Sequence, residues 1–206
     1  MSEPKLNQGL TKRLAFAIGA AACGSAFQHG YNTGVVNAPQ QLVSEFINET
    51  YHERFAEYPN ESRIKLIYSI IVSLFCIGGM IGALMTAIIA DRFGRKGGLL
   101  LNNALVFVAA IFLGLSKTCR SYEMLIFGRF ICGLNSGLNA GLAPMYLAEI
   151  SPTHLRGAIG TVYQLVITIS ILFSNILGLP SFLGTEGGWP WLFGRFEIRV
   201  KIFACV

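Results

Sequence analysis

The chain has 206 residues, of which 53% are hydrophobic and only 13% are charged. A soluble domain of this length would carry about 25% charged residues. This composition, with a mean hydropathy of +0.55, excludes an ordinary soluble protein and predicts an all-α polytopic membrane protein. The net charge of +5 requires no nucleic acid partner, because basic residues collect at membrane edges.

The polar residues give no sign of catalysis or of a cofactor. The five cysteines form neither a Cys-x-x-Cys motif nor a Cys/His cluster, so we expect no metal site and no disulfide framework. The repeat of Gly133, Gly137 and Gly141 every four residues indicates helix packing and not a dinucleotide-binding loop. The sequence therefore predicts neither an enzyme nor a bound cofactor.

The first predicted span covers residues 14–38, after a short polar segment, residues 1–13, that we place in the cytoplasm. This apolar run is too long for the core of a signal peptide, and no clear cleavage site follows it, so we predict an uncleaved helix.

Two polar ridges run along this span. His29, Thr33 and Asn37 are spaced i, i+4, i+8, and Gln28 and Asn32 are spaced i, i+4. Polar groups that face lipid cost several kcal/mol each, so these residues are expected to face a bundle interior or an aqueous cavity. Hydrogen bonding between helices and the wall of a path for an uncharged polar solute both remain open.

Residues 39–65 are hydrophilic and contain two acceptor sequons for N-glycosylation, at Asn48 and Asn60. Five glutamates recur at every fourth residue, a spacing that opposes a long isolated helix, and Pro59 interrupts the segment. We therefore expect a solvated, partly ordered extracellular loop that carries glycan.

Four further apolar runs predict spans two to five, at residues 66–90, 97–115, 124–148 and 158–179. A short basic turn, residues 91–96, separates the second span from the third. Residues 194–206 carry four charges and are too short to cross a bilayer, so they form a tail. With the amino terminus inside, basic residues are modestly enriched on the inner side, as the positive-inside rule requires.

Polar residues also follow the faces of the later spans. Asn135 and Asn139 lie roughly opposite the glycines of the fourth span, since two residues turn a helix by about 200°. Gln164, Thr168 and Ile171 form one stripe on the fifth span.

Several motifs occur together and in order. They are Gly30-Tyr-Asn-Thr-Gly-Val-Val-Asn-Ala-Pro-Gln40, Asp91-Arg-Phe-Gly-Arg-Lys96, Gly128-Arg-Phe130 and Pro144-Met-Tyr-Leu-Ala-Glu-Ile-Ser-Pro-Thr-His-Leu-Arg-Gly157. With Gln164 in the fifth span, they resemble the facilitative glucose transporters, the sugar-porter branch of the major facilitator superfamily. The resemblance runs from about residue 10 to residue 193 and is closest to animal members, with an insect type suggested.

The resemblance implies twelve helices in two bundles of six, with a hexose bound between them and alternating access. The chain would supply five transmembrane helices of the amino-terminal bundle, with helix six missing and residues 194–206 a divergent tail. We expect a truncated form that is inactive alone. The family implies the plasma membrane, and a truncated form could be retained in the endoplasmic reticulum.

The resemblance also implies the site residues. Those lining the sugar path would be Thr33, Asn37, Gln164, Ile167, Thr168 and Ile171. The family commonly has phenylalanine where this sequence has His29. Whether this position supplies a ring contact to the sugar therefore stays open. The charged residues that would form the conformational network are Arg92, Arg95, Arg129, Glu149 and Arg156, and their simplest alternative role is to set the topology.

Asn32 bears on whether sugar transport is coupled to proton transport. Proton-coupled relatives carry an aspartate at this position, and residues 14–38 contain no carboxylate. Because an amide cannot carry a proton, the sequence predicts a uniporter for a hexose, D-glucose in the first place, and disfavours a proton-linked symporter. A third hypothesis is a non-transporting membrane protein that partners a full-length relative or forms homo-oligomers. The missing second half distinguishes it from the transporter hypothesis.

Overall fold

The computed structural model describes residues 12–185 and 187–195, and within these residues every regular element is a helix. Residues 1–11 of the predicted cytoplasmic segment (1–13) and residues 196–206 of the predicted tail (194–206) lie outside the described residues. The elements are α1 (Lys12–Ala21), a first π-helical turn (Ala22–Ala26), α2 (Phe27–Gly34), α3 (Gln40–Phe55), α4 (Glu61–Leu115), α5 (Tyr122–Ile150), α6 (Arg156–Leu177) and a second π-helical turn (Trp191–Arg195).

Helix α4 holds two of the predicted spans and is broken only at Gly94. The backbone of Gly94 has φ 71° and ψ 167°, which is non-helical and is open to glycine because it lacks a Cβ. The chain is helical on both sides of this residue, so the predicted basic turn reduces to a one-residue break. We call residues 61–93 the first arm of α4 and residues 95–115 the second arm.

Helix α5 lies at the centre of the bundle and contacts both arms of α4. Its glycines approach the backbone of the first arm: a Cβ on Gly133 would lie 2.2 Å from the carbonyl oxygen of Phe75, and a Cβ on Gly137 would lie 2.1 Å from that of Gly79. Side chains of this size would separate the two helices, so the predicted packing role of these glycines is confirmed.

Three buried asparagines join α5 to the second arm of α4. Asn102 donates to the side-chain oxygen of Asn139 across 2.8 Å, and Asn135 donates to the backbone carbonyl of Asn102 across 2.9 Å. These bonds connect the three amides inside the bundle, and Oδ1 of Asn102 is left without a hydrogen-bond partner among the described residues.

Helix α2 packs closely on α6. A Cβ on Gly30 would lie 2.0 Å from Oγ of Ser170, and a Cβ on Gly34 would lie 2.2 Å from Oγ of Ser174. The small residues of the first span therefore set its distance from the fifth.

The segment predicted as a partly ordered loop contains a 16-residue helix, α3. The sequence did not predict this helix, because the glutamate spacing and Pro59 both argue against a long isolated helix. Val43, Phe46 and Ile47 are buried against the bundle, and Arg120 pairs with Glu53. Burial of the apolar face outweighs the repulsion between like charges, which is worth a few tenths of a kcal/mol per pair on a solvated helix.

The outer surface of the helices is strongly apolar. Leu84 is 72% exposed, Ile88 64% and Leu172 61%. Among the described residues, α4 and α6 are long and apolar enough to cross a membrane. The 55 residues of α4 include both of its arms. An apolar surface of this extent is expected to face lipid.

The second π-helical turn is held against the bundle. Leu192 and Phe193 are buried, as is Trp189 just before the turn, and the Tyr31 hydroxyl of α2 donates to the carbonyl of Leu192 across 2.9 Å. The chain beyond α6 therefore packs on the first span.

Candidate functional site

A groove of about 430 Å³ lies between α2, α5 and α6. Two of the six residues predicted to line the sugar path, Gln164 and Ile167, line this groove. The residues that line it are His29, Ala140, Pro144, Leu147, Ala148, Arg156, Ile159, Gly160, Tyr163, Gln164 and Ile167.

The polar side chains of the groove offer both donors and acceptors. Gln164 is exposed on α6, and its amide can donate and accept. His29 is half-buried, and its Nδ1 lies 3.2 Å from the carbonyl oxygen of Ser136. Because a carbonyl only accepts, Nδ1 is the donor in this contact.

The other four predicted residues lie outside the lining of this groove. Thr33 is exposed on α2 and donates to the carbonyl of His29 across 2.9 Å, while Thr168 is exposed on α6 and donates to the carbonyl of Gln164 across 3.1 Å. Asn37 is exposed beyond the end of α2, and Ile171 is partly buried on α6.

The groove also contains residues that the sequence analysis did not select. Ala140 and Pro144 form its α5 wall, and Tyr163, which is buried, donates from its hydroxyl to the carbonyl of Asn139 across 3.3 Å. In the sequence, Pro144 was noted only as the first residue of a family motif. The available signal was its spacing of four from Ala140, which places the two on one helix face.

Two of the five residues predicted to form the conformational network, Arg95 and Glu149, form an ion pair with each other in the part of the chain that the structure describes. Arg95, at the start of the second arm, donates from Nε to Oε1 of Glu149 at the end of α5 across 2.9 Å. Arg156 donates to the carbonyl of Ser151, and Arg92 is exposed. We call the side of the bundle that holds Arg92, Arg95, Glu149 and Arg156 the basic end.

Arg129 lies elsewhere, buried in the middle of the bundle. Its Nη1 donates to the carbonyl of Asn32 across 3.1 Å, and its guanidinium sits 4.5 Å from the centre of the Phe75 ring. This residue therefore links α2, the first arm of α4 and α5.

The opposite side of the bundle holds α3 and the start of α5, and we call it the loop end. Side chains of α3 contact the start of α5 there. Arg54 forms an ion pair with Glu123 and donates to the carbonyl of Arg120 across 2.9 Å. Partial burial alone would raise the pKa of Glu123, but hydrogen bonds from Ser121, its own amide and Arg54 outweigh this and hold the pKa below its ordinary value.

The predicted glycan acceptors are also at the loop end. Asn48 is half-buried on α3, whereas Asn60 is exposed in an extended backbone conformation immediately before α4.

Comparison with known proteins gives consistent matches. The family model for sugar (and other) transporters matches residues 17–205. The chain is 51% identical over 193 residues to horse (Equus caballus) solute carrier family 2, facilitated glucose transporter member 5, covering 94% of this chain and 38% of that protein. It is 45% identical over 197 residues to the chicken (Gallus gallus) facilitated glucose transporter member 1, covering 96% and 40%.

Solved structures share the fold. The crystal structure of a D-xylose–proton symporter matches with a TM-score of 0.74 at 23% identity, covering 92% of this chain and 46% of that one. The inward-open xylose transporter from E. coli matches with a TM-score of 0.75 at 23% identity, covering 93% and 47%.

The chain spans about two fifths of the length of these curated relatives. Its helices have the same fold as the part of the D-xylose–proton symporter that they match, which is slightly less than half of that chain. On the family match and these identities, the chain belongs to the sugar transporter family.

Proposed function

We propose that the described helices form one half of a facilitative hexose carrier that transports D-glucose, with the groove between α2, α5 and α6 as one wall of its path. The observation that carries this proposal is the exposed amide of Gln164 in the groove beside Ile167. An amide can donate to one sugar hydroxyl and accept from another. The apolar side chain of Ile167 suits the CH face of a sugar ring.

The remaining predicted residues extend this wall along α2 and α6. The hydroxyl protons of Thr33 and Thr168 are donated within their own helices, so their oxygens present lone pairs to a substrate. Asn37 adds an exposed amide, and Ile171 adds apolar surface. Such a wall favours a neutral ligand with many hydroxyl groups over an ion.

We infer that transport is uniport. A proton-coupled carrier needs a group that binds and releases a proton, and the first span has the amide of Asn32 where a carboxylate would serve. Arg129 contacts the backbone of that residue, and an arginine stays protonated in proteins. The sugar would therefore move down its own gradient.

The ion pair at the basic end fits a role in alternating access. Arg95 and Glu149 join the second arm to the end of α5, so the pair ties these two helices in any state in which it forms. Both side chains are more than a third exposed, so the pair contributes at most about 1 kcal/mol. A weak pair can break in each transport cycle. We place the basic end in the cytoplasm and the carrier in the plasma membrane, partnered by a second helical bundle.

The proposal is tested by uptake of radiolabelled D-glucose into proteoliposomes that contain a full-length transporter built on residues 12–195. Gln164→Ala should raise KM by roughly two- to a hundredfold, since it removes one or two hydrogen bonds worth about 0.5–1.5 kcal/mol each. Gln41→Ala, an equally exposed glutamine on α3, is the matched control and should leave KM unchanged. An unchanged KM in Gln164→Ala would remove Gln164 from the path.

A further inference from the structure

We propose that the backbone carbonyl of Ala140 accepts a hydrogen bond from a hydroxyl group of the substrate, because Pro144 leaves this carbonyl without its helical donor. The inference rests on the proposed function, since it assigns a further binding group in the same groove.

The missing donor follows from covalent chemistry. In an α-helix the N–H of residue i+4 donates to the carbonyl of residue i. Pro144 lies inside α5, six residues before its end, and proline has no N–H. The carbonyl of Ala140 therefore cannot form the bond that its neighbours in α5 form.

The position of this carbonyl makes it available to a ligand. Ala140 and Pro144 are both exposed, and both line the groove. Residues four apart lie on one helix face, so the carbonyl between them belongs to the groove wall. A proline ring also pushes this carbonyl away from the helix axis.

The free-energy cost of an unpaired carbonyl also favours a place for this carbonyl in the groove wall. An unpaired backbone carbonyl that faces hydrocarbon costs several kcal/mol, and it is tolerated where it lines a polar cavity. The α5 wall of the groove is such a place, since Gln164 and His29 face the same space. A carbonyl acceptor selects for hydroxyl donors and against anions, which matches a neutral sugar.

A competing explanation is that Pro144 only bends α5 and that its missing bond has no ligand. The two explanations differ in their response to a restored N–H. Pro144→Ala and Pro144→Val both supply the donor, and valine keeps the bulk of the proline ring that alanine loses. An effect common to both variants therefore reports the N–H and not the lost surface.

The experiment uses the 206-residue chain in lipid nanodiscs and saturation-transfer NMR, which detects millimolar binding, with D-glucose and its mono-deoxy analogues as probes. Both variants should bind D-glucose roughly two- to tenfold more weakly, the equivalent of one hydrogen bond. The wild-type chain should discriminate against one deoxy analogue that the two variants bind as well as D-glucose. Pro152→Ala, a proline outside any helix, is the control and should keep the wild-type pattern.

The outcomes are distinct. Melting temperatures of the variants should equal or exceed that of the wild type, because proline destabilises a helix interior. Glucose binding that is unchanged in both variants, or a loss confined to Pro144→Ala, would overturn the role of the Ala140 carbonyl and leave the proposed function standing. A wild-type chain with no saturable glucose signal would overturn the proposed function and this inference with it.

Discussion

The Nη1 atom of Arg129 donates a hydrogen bond to the backbone carbonyl of Asn32, 3.1 Å away, across the contact between α5 and α2. The guanidinium is thus held by a main-chain oxygen and by the Phe75 ring, neither of which titrates. On the side of the first span, residue 32 presents an amide, which cannot carry a proton, and residues 14–38 contain no carboxylate.

We therefore expect hexose flux through a full-length transporter that contains these helices to be independent of a pH gradient. Asn32→Asp places a carboxylate in the same contact and should make the flux depend on pH, whereas Asn60→Asp, at an exposed site, should not. The measurement is luminal pH during sugar uptake into proteoliposomes. A stoichiometric proton current in the wild type would show that the carrier is a symporter.

The closeness of α2 to α6 gives a prediction about stability. Gly34→Ala would bring its Cβ 2.2 Å from Oγ of Ser174 and 3.0 Å from the carbonyl of Ile171. Overpacking of this kind should lower the free energy of unfolding by about 1–3 kcal/mol, measured by thermal unfolding in detergent. Adding Ser174→Ala removes the nearer atom without introducing a helical glycine and should restore part of the loss.

The matched control for this substitution is Gly157→Ala, which lies on α6 and has no atom within 4 Å of the added Cβ. The added methyl group meets no neighbouring atom, so Gly157→Ala should stabilise the helix by about 0.5–1 kcal/mol, because alanine loses less conformational entropy on folding than glycine. Equal destabilisation by Gly34→Ala and Gly157→Ala would contradict the close packing of α2 on α6.

Much of the fold could be predicted because its signals are local. Apolar runs, the spacing of Gly133 and Gly137, and the polar ridges all follow from residues within a few turns of one another. Helix α3 could not be predicted, since its stability depends on partners far away in sequence: Arg54 meets Glu123, 69 residues on.

The site was predictable only in part for the same reason. Gln164 was identified through its stripe on the fifth span and through the family resemblance, but the place of Pro144 and Tyr163 in the groove depends on how α5 and α6 pack. The five residues of the predicted network are all ionisable but do not lie together, because Arg129 is in the bundle centre and Arg95 at the basic end. Sequence periodicity does not report which ends of two helices meet.

The ion pair between Arg54 and Glu123 gives a prediction about pH. The pKa of Glu123 is lower in the folded state than its ordinary value. The pair therefore stabilises the protein fully above the ordinary carboxyl pKa, and this contribution is lost as the pH falls through the lowered folded-state pKa. Its size should be about 0.2–1 kcal/mol, because both side chains are more than a third exposed.

Glu123→Gln should accordingly lower the melting temperature at pH 7, and the difference from wild type should shrink in acid and at high salt. Glu57→Gln removes an equally negative, exposed side chain that forms no ion pair and should have little effect. A difference that persists unchanged at pH 3 would mean that Glu123 acts through packing and not through its charge.

The position of the two sequons at the loop end predicts the topology. If this end faces the lumen during synthesis, Asn48 or Asn60 should carry a glycan in a eukaryotic host. Glycosidase treatment should then increase gel mobility, and the double variant Asn48→Gln, Asn60→Gln should migrate like the treated protein. Identical mobility of all these samples would remove the main support for the assigned orientation.

The last prediction is that the 206 residues by themselves do not transport sugar. Gln164, Thr168 and Thr33 are exposed in the described helices, so a hexose held by them keeps its other face in water. Alternating access requires two bundles that rock about one central site. One wall supplies only part of the hydrogen bonds, each worth about 0.5–1.5 kcal/mol net, which allows weak binding without a closed path.

Purified chain in proteoliposomes should therefore show no saturable, inhibitor-sensitive uptake of radiolabelled D-glucose, although it binds the sugar weakly in nanodiscs. Leak through the bilayer is measured with L-glucose as the control. Saturable uptake that disappears in Gln164→Ala would show that one set of these helices is sufficient, through a dimer in which a second copy supplies the opposite wall. In that case the groove between α2, α5 and α6 would face its own counterpart, and the requirement for a different second bundle would be wrong.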